Sequence, residues 1–353
     1  MISKFNFASL LIDWSDQNIR KLSWRYEKDP YKIWISEIML QQTRTKHVES
    51  YYQKFLQKFP NIQSLAKSNI DSVLQAWEGM GYYSRARNLH NTAQIVVKEF
   101  GSKFPATPHE LIQLPGIGEY TSAAIASFAF EYPIAAIDGN VIRIITRVFG
   151  LAIDVNNIYG KKTIREIANH CLGNCKSSLF NQAMMDLGAQ VCISKYPKCD
   201  KCPFGKICIA AMNEITHELP LKKPKPKLKN RNLHYVIVKD SKSKGLIRKR
   251  ISQDIWKGLY EPLLFETRTP KYLEEDQLKE LICKEIKGRP GIVVTEKKRF
   301  THLLTHQKLM VHFYKISVAK PLILKNNSGY LIQSLKNFEN FAFPRIVRKY
   351  INF

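Results

Sequence analysis

Cys192, Cys199, Cys202 and Cys208 stand in a CX6CX2CX5C pattern with no histidine between them. Four soft thiolates suit either a tetrahedral zinc or an iron–sulfur cubane. Zinc sites usually pair cysteines about two to four residues apart, so the wide first gap favours iron–sulfur. Lys195, Lys198 and Lys201 lie in the same loops and would make the metal site a basic knob as well. Two carboxyl groups far apart in the chain offer a second chemistry. Glu37 lies in WISEIMLQQTR. On a helix its same-face neighbours are Ile33, Trp34, Leu40 and Gln41, and a mostly apolar setting raises a carboxyl pKa. Asp138 lies in AIDGNVIRIITRVFG, where Asp138 and Asn140 both suit the start of a helix with apolar positions Val141, Ile142, Ile145, Val148 and Phe149. Each acid has a plain structural account, a solvated helix edge for Glu37 and a helix cap for Asp138. Chemistry is worth weighing because glycosidic bond cleavage commonly uses two carboxyl groups in different protonation states. Cys171, Cys175 and Cys283 read as ordinary buried or free thiols.

These groups need a scaffold, and the pattern supplies helices. LPGIGEYTSAAI, from Leu114 to Ile125, predicts a helix stopped at Pro115, a turn through Gly116 and Gly118, and a second helix opening at about Glu119. Such a helix-hairpin-helix turns bare backbone N–H groups and a positive helix end outward, fit to hold a nucleic-acid backbone without reading sequence. An ordinary tight connection between core helices is the competing account. Upstream, Val48, Tyr51, Tyr52, Phe55, Leu56 and Phe59 recur at helical spacing. In WEGMGYYSRARNLH, Gly79 and Gly81 break the pattern before a helix carrying Ala86, Leu89, Ala93, Val96, Val97 and Phe100. Arg85 and Arg87 there suit phosphate contacts or a solvated face.

The 353 residues leave room for two or three domains, and 44% hydrophobic content is enough for real cores. A net charge of +25, from 55 Lys and Arg against 30 Asp and Glu, pulls the chain towards polyanions. MISKFNFASLLIDW lacks a small-residue cleavage site and no apolar run reaches the roughly 18 residues of a membrane span, so a cytosolic protein is expected. Seven cysteines, an odd number, point to metal ligation rather than disulfides. From Glu218 the run ELPLKKPKPKLKNR reads as an extended basic linker, residues 218–231, following one side of a nucleic acid. Beyond it LHYVIVKD, GLIRKRI, LYEPLLFE and KLMVHFYKISV read as strands, with a helix near Gln277 to Ile286.

SEIMLQQTR, WEGMGYYSRARNLH, LPGIGEYTSAAI, IDGNV, FNQAMMDLGAQVC and the four cysteines together resemble the MutY adenine DNA glycosylases of the helix-hairpin-helix superfamily, in that family's order and approximate spacing. The resemblance implies a mainly α fold: a two-subdomain helical core over residues 1–217 with an iron–sulfur loop, then an α+β Nudix-like domain over 232–353. The hairpin subdomain would span about 27–132, the N-terminal helix plus iron–sulfur subdomain 1–26 and 133–217. It further implies a [4Fe–4S] cluster, a double-stranded DNA partner bearing 8-oxoguanine:A or G:A, no membrane, and a monomer in the cytoplasm, at the nucleoid if bacterial. Carried over by position, Glu37 is the catalytic acid and Asp138 supports the cationic sugar, with Tyr120 and Asn140 as hydrogen-bonding partners around it. Trp24, Arg25 and Gln182 line the adenine pocket, Gln42, Met80 and Tyr82 form the wedge in the duplex, and Gly116 and Gly118 hold the DNA backbone. Tyr120 stands where strand-cutting relatives carry a Schiff-base lysine, which implies a monofunctional enzyme. The family's Phe-Ser-His loop, which contacts 8-oxoguanine, aligns with Leu304, Thr305 and His306, so an aromatic face is missing. The Nudix REXXEE run is absent, which favours a recognition module over a second hydrolase. An endonuclease III-like pyrimidine glycosylase and a non-catalytic DNA-binding protein are the alternatives.

Overall fold

The computed structural model describes residues 6–221 and 228–351. The chain divides into two compact units, one of residues 1–67 and 88–224, the other of 68–87 and 225–353.

The first unit is helical. In chain order the helices to Met212 are α1 Phe7–Asp16, α2 Pro30–Leu40, α3 Thr45–Lys58, α4 Ile62–Lys67, α5 Ile70–Ala76, α6 Ser84–Glu99, α7 Pro108–Leu111, α8 Glu119–Phe130, α9 Gly139–Val148, α10 Ile158–Leu172, α11 Ser177–Gln190 and α12 Ile209–Met212. Of these, α5 and the start of α6 belong to the other unit. Helix starts follow local chemistry. Asp29 accepts from the Tyr31 amide and Pro30 takes the first position of α2, while Thr107 caps α7 ahead of Pro108. Residues Thr121 to Phe128 of α8 are buried on every side, so α8 is a central helix. Its small side chains, Ser122, Ala123, Ala124 and Ala126, let α2, α7 and α11 approach closely. A separate core joins α1 to α9, α10, α11 and α12 through Phe7, Leu11, Ile145, Phe180, Leu187 and Phe204.

The second unit is built on β1 Lys229–Lys239, β2 Lys244–Lys249, β3 Tyr260–Glu261, β4 Leu263–Thr267, α13 Glu275–Glu285, β5 Ile292–Leu303, β6 Gln307–Val318, β7 Leu331–Ser334 and α14 Arg345–Arg348. One sheet has the order β4-β1-β6-β5, with β1 and β6 parallel and the other pairs antiparallel; the second is β3-β2-β7. Odd-numbered β1 and β6 residues such as Tyr235 and Phe313 pack with Phe343 and Val347, and even-numbered ones such as Val236 and Tyr314 pack with Leu278 and Ile282 of α13.

The bounds seen here differ from the expected ones in two places, and one strand went unread. β1 starts at Lys229 and Leu219 is buried in the helical core, so both ends of the expected linker belong to folded structure; residues 222–227 lie outside the described residues. Segment 68–87 packs with the C-terminal unit rather than with the hairpin subdomain. β5 escaped the pattern because it is an edge strand carrying consecutive Lys297, Lys298 and Arg299, which break the two-residue alternation.

Candidate active site

A cavity of about 550 Å³ opens in the helical unit between α2, α8, the start of α9 and α11. Trp24, Arg25, Glu37, Gln42, Tyr120, Asp138, Asn140 and Gln182 all line it. Glu37 is only 4% exposed. Tyr120, at the second position of α8, donates its hydroxyl to Glu37 Oε2 at 2.6 Å. Burial pushes the Glu37 carboxyl up to about 7; the Tyr120 hydrogen bond pulls against it and the charge of Asp138 adds to it. Burial also raises the Tyr120 phenol far above its ordinary value.

Asp138 caps α9, accepting from the amides of Asn140 and Val141, both at 2.8 Å, and from Asn140 Nδ2 at 2.6 Å. Burial raises its pKa while these donors and Arg143 draw it down. Capping and proximity to Glu37 therefore hold at once. Arg143 Nη2 donates to Asn140 Oδ1 and to the Gly188 carbonyl, each at 2.8 Å. A side chain at Gly188 would meet Asn140 Cβ at 2.4 Å, so this glycine is set by close packing.

Sequence reasoning missed Asp186. It is buried on α11 and takes Arg20 Nε at 2.5 Å and the guanidinium of Arg25. The Arg25 carbonyl accepts from Gln182 Nε2 at 3.0 Å. Asp186 lies four residues beyond Gln182 on one helix face, a spacing that could have flagged it. Trp24 sits edge-on to Tyr52.

The hairpin has the expected start at Glu119, although α7 ends at Leu111 and hydrogen-bonded turns carry the chain to Leu114. Gly116 has φ +80 and lies against Asn88, leaving no room for a side chain. Gly118 has ordinary backbone and faces open space as the cap of α8.

Gln42 is exposed with φ +56, an uncommon conformation for a side-chain-bearing residue. Tyr82, Met80, Thr305 and His306 belong to the other unit and do not line this cavity. Tyr82 is 46% exposed with φ +48, and its hydroxyl is 2.6 Å from Thr305 Oγ1. Met80, expected in the wedge, is buried at 5% exposure. The tight turn after Trp77 folds its side chain inward, where it is packed in this structure. Leu304, Thr305 and His306 form the tip of the β5–β6 hairpin, closed by the Leu304 amide on the Gln307 carbonyl at 2.8 Å. Thr305 and His306 are exposed, whereas Leu304 packs on the core.

Cys192, Cys199, Cys202 and Cys208 ring one small pocket walled by Val148, Leu187, Val191 and Phe204. Buried Arg147 reaches Cys192 Sγ at 3.5 Å. Among the described residues no three His, Cys, Asp or Glu side chains converge as for a single metal ion.

A caged carboxyl, a second carboxylate and a glycine hairpin on a helical frame define a class. Residues 35–171 match the model of the HhH-GPD superfamily base excision DNA repair proteins, and 234–353 match that of the NUDIX domain. The solved structure of a thermostable thymine-DNA glycosylase superposes with a TM-score of 0.55 at 31% identity, covering 59% of this chain and 95% of that one. An endonuclease III–DNA complex shares the fold, with a TM-score of 0.51 at 19% identity over 61% of this chain and 99% of its own.

Within that class the chain belongs to the adenine DNA glycosylase family. It is 34% identical over 346 residues to the adenine DNA glycosylase of Buchnera aphidicola subsp. Baizongia pistaciae, covering 98% of this chain and 95% of that protein. The Homo sapiens adenine DNA glycosylase is 39% identical over 213 residues, 58% of this chain and 39% of its own. Among the described residues no helix is long and apolar enough to cross a membrane.

Proposed function

We propose that this chain hydrolyses the N-glycosidic bond of adenine opposite 8-oxoguanine or guanine in duplex DNA and leaves the abasic strand uncut. The carrying observation is Glu37, a carboxyl held protonated near neutral pH beside Asp138 in a cavity with ample room for a flipped nucleotide. Adenine must leave the stack to enter such a cavity. Glu37 then gives its proton to an adenine ring nitrogen, so that the base departs neutral with the bonding electron pair. With Tyr120 donating to Oε2, the other Glu37 oxygen is the one suited to carry that proton. Asp138, whose carboxylate accepts three N–H donors, faces the positive sugar as the bond breaks. Water adds to the sugar carbon and returns its proton to Glu37. Arg25 and Gln182 border the adenine, and Gln42 and Tyr82 fill the duplex, their positive φ values holding the side chains out at a cost in strain. The bare amides around Gly116 and Gly118 take a phosphate. Thr305 and His306 meet the 8-oxoguanine.

Tyr120 cannot supply the amine of a Schiff base, and among the described residues no lysine lines the cavity, which supports a monofunctional reaction. The thiol ring beside Arg147 suits a [4Fe–4S] cluster on Cys192, Cys199, Cys202 and Cys208. When bound, such a cluster cross-links the loop from Cys192 to Cys208 and sets its shape. We place the enzyme, as a monomer, in the cytoplasm or on a bacterial nucleoid. Duplexes with 8-oxoguanine:A, G:A and thymine glycol:A, incubated and then treated with alkali, test the reading. The adenine strand should break only after alkali, and borohydride should trap little protein on DNA. Release of thymine glycol, or breakage before alkali, would move the chain to the endonuclease III type.

A further inference from the structure

The turn that bears Tyr82 has little regular structure of its own. Gly79, Gly81 and Tyr82 have φ of +97, +73 and +48, so no helix or strand ladder fixes it. Local bonds brace it, Trp77 Nε1 to the Gly81 carbonyl at 3.1 Å and Arg85 Nη2 to the Met80 and Gly81 carbonyls, each at 3.2 Å, and further anchors come from late in the chain. Arg348 on α14 grips Glu78 with two parallel bonds, Nε to Oε1 at 2.6 Å and Nη2 to Oε2 at 2.8 Å. The Arg348 guanidinium is itself oriented by the carbonyls of Phe338, at 3.0 Å, and Phe341, and lies over the Phe343 ring. The Phe343 amide adds a bond to Glu78 at 3.3 Å, and Tyr83 Oη links the Gly79 amide to the Phe343 carbonyl. At the other end of the turn stands the Tyr82–Thr305 contact.

We propose that Arg348, acting through Glu78, is a positioning residue for the Gly79–Tyr82 turn, so that the α14 region takes part in telling 8-oxoguanine from guanine. The proposal rests on the reading of Thr305 and His306 given above. A bidentate pair fixes Glu78 at one end of the turn and a single hydroxyl contact engages Tyr82 at the other, with Trp77 and Arg85 bracing the carbonyls between; loosening the Glu78 end lets the Tyr82 hydroxyl shift away from Thr305.

The test is a double-mutant cycle between Arg348→Ala and Tyr82→Phe. Its readouts are single-turnover adenine release and the affinity for duplexes with a non-cleavable adenine analogue, opposite 8-oxoguanine and opposite guanine. Arg348→Ala should lower the 8-oxoguanine-to-guanine ratio about three- to tenfold, the worth of roughly one hydrogen bond, with G:A release within about twofold of the parent. The double variant should match the larger single effect. Arg348→Lys, which keeps the charge and loses the fork, should fall between. Should Arg348→Ala fail to fold, Glu78→Gln carries the same cycle. An unchanged ratio, or effects that simply multiply, would overturn the positioning role. A parent that releases no adenine would instead sink the glycosylase reading, and the affinity cycle would still judge Arg348.

Discussion

Each unit buries a glutamate almost completely, Glu37 at 4% exposure and Glu261 at 1%, and treats it in the opposite way. Glu261 receives two guanidiniums, Arg248 at 3.0 Å and Arg250 at 2.5 Å, and Arg250 is shared with Asp254, which Arg231 joins to Glu266. Glu37 receives only a phenol and the neighbouring charge of Asp138. One carboxylate is thereby tied into a network of guanidiniums, the other is an acid that holds its proton until neutral pH. Burial creates a proton donor only where a compensating cation is withheld.

Four changes would break or sharpen that contrast. Glu37→Gln should slow adenine release by roughly 10²- to 10⁴-fold, the usual worth of a general acid, while affinity for the duplex survives; near-parental single-turnover rates would remove Glu37 from the chemistry. Glu261→Gln should do the reverse. It takes the charged partner from Arg248 and from buried Arg250, which keeps only Asp254, and should cost about 3–5 kcal/mol in chemical denaturation, as loss of one partner of a buried pair does, with the Glu37 chemistry retained wherever the variant is folded.

The third concerns pH. Unfolded, a glutamate titrates near 4.5, and folded Glu37 near 7, so the folded state holds the proton more tightly. Its contribution is fully present below 4.5 and is lost as pH rises through 7, a swing of about 3 kcal/mol. Melting curves of Glu37→Gln against the parent should therefore coincide best below about 4.5, draw apart between 4.5 and 7 and stay apart above, with the variant the more stable. Adenine release by the parent should fall as pH rises through 7, and a rate flat to pH 9 would contradict the acid role. The smallest effect belongs to the exposed hairpin tip. Thr305→Ala with His306→Ala should lower activity on 8-oxoguanine:A more than on G:A, by about 0.5–1.5 kcal/mol per lost hydrogen bond. Equal losses would assign the tip to general DNA binding.

The residues legible in the sequence are those whose surroundings are local. The apolar face around Glu37 is written into α2 itself, Asp138 caps the helix that follows it, and the cysteines carry their own spacing. Asp186, Arg143 and Arg348 were not legible, since each acquires its meaning from a partner on another element. Met80 shows the same limit from the other side: its type fits a wedge, and only the turn's path reveals that it points inward. The hairpin was legible as punctuation, but not that Gly116 answers to Asn88 while Gly118 answers to open space.

The pairing of Glu78 with Arg348 spans 270 positions, and that span bears on how the chain is made. Residues 68–87 leave the ribosome long before β1 exists, while their partners Lys249, Tyr260, Phe343 and Arg348 come late. At roughly 5–20 residues per second, the segment waits on the order of ten seconds or more for its last partner. The helices around the cavity can gather in that interval, while the turn bearing Tyr82 has only its local bonds from Trp77 and Arg85 until Thr305, Phe343 and Arg348 are made. A nascent chain can thus shape its base pocket well before its wedge turn has all its supports.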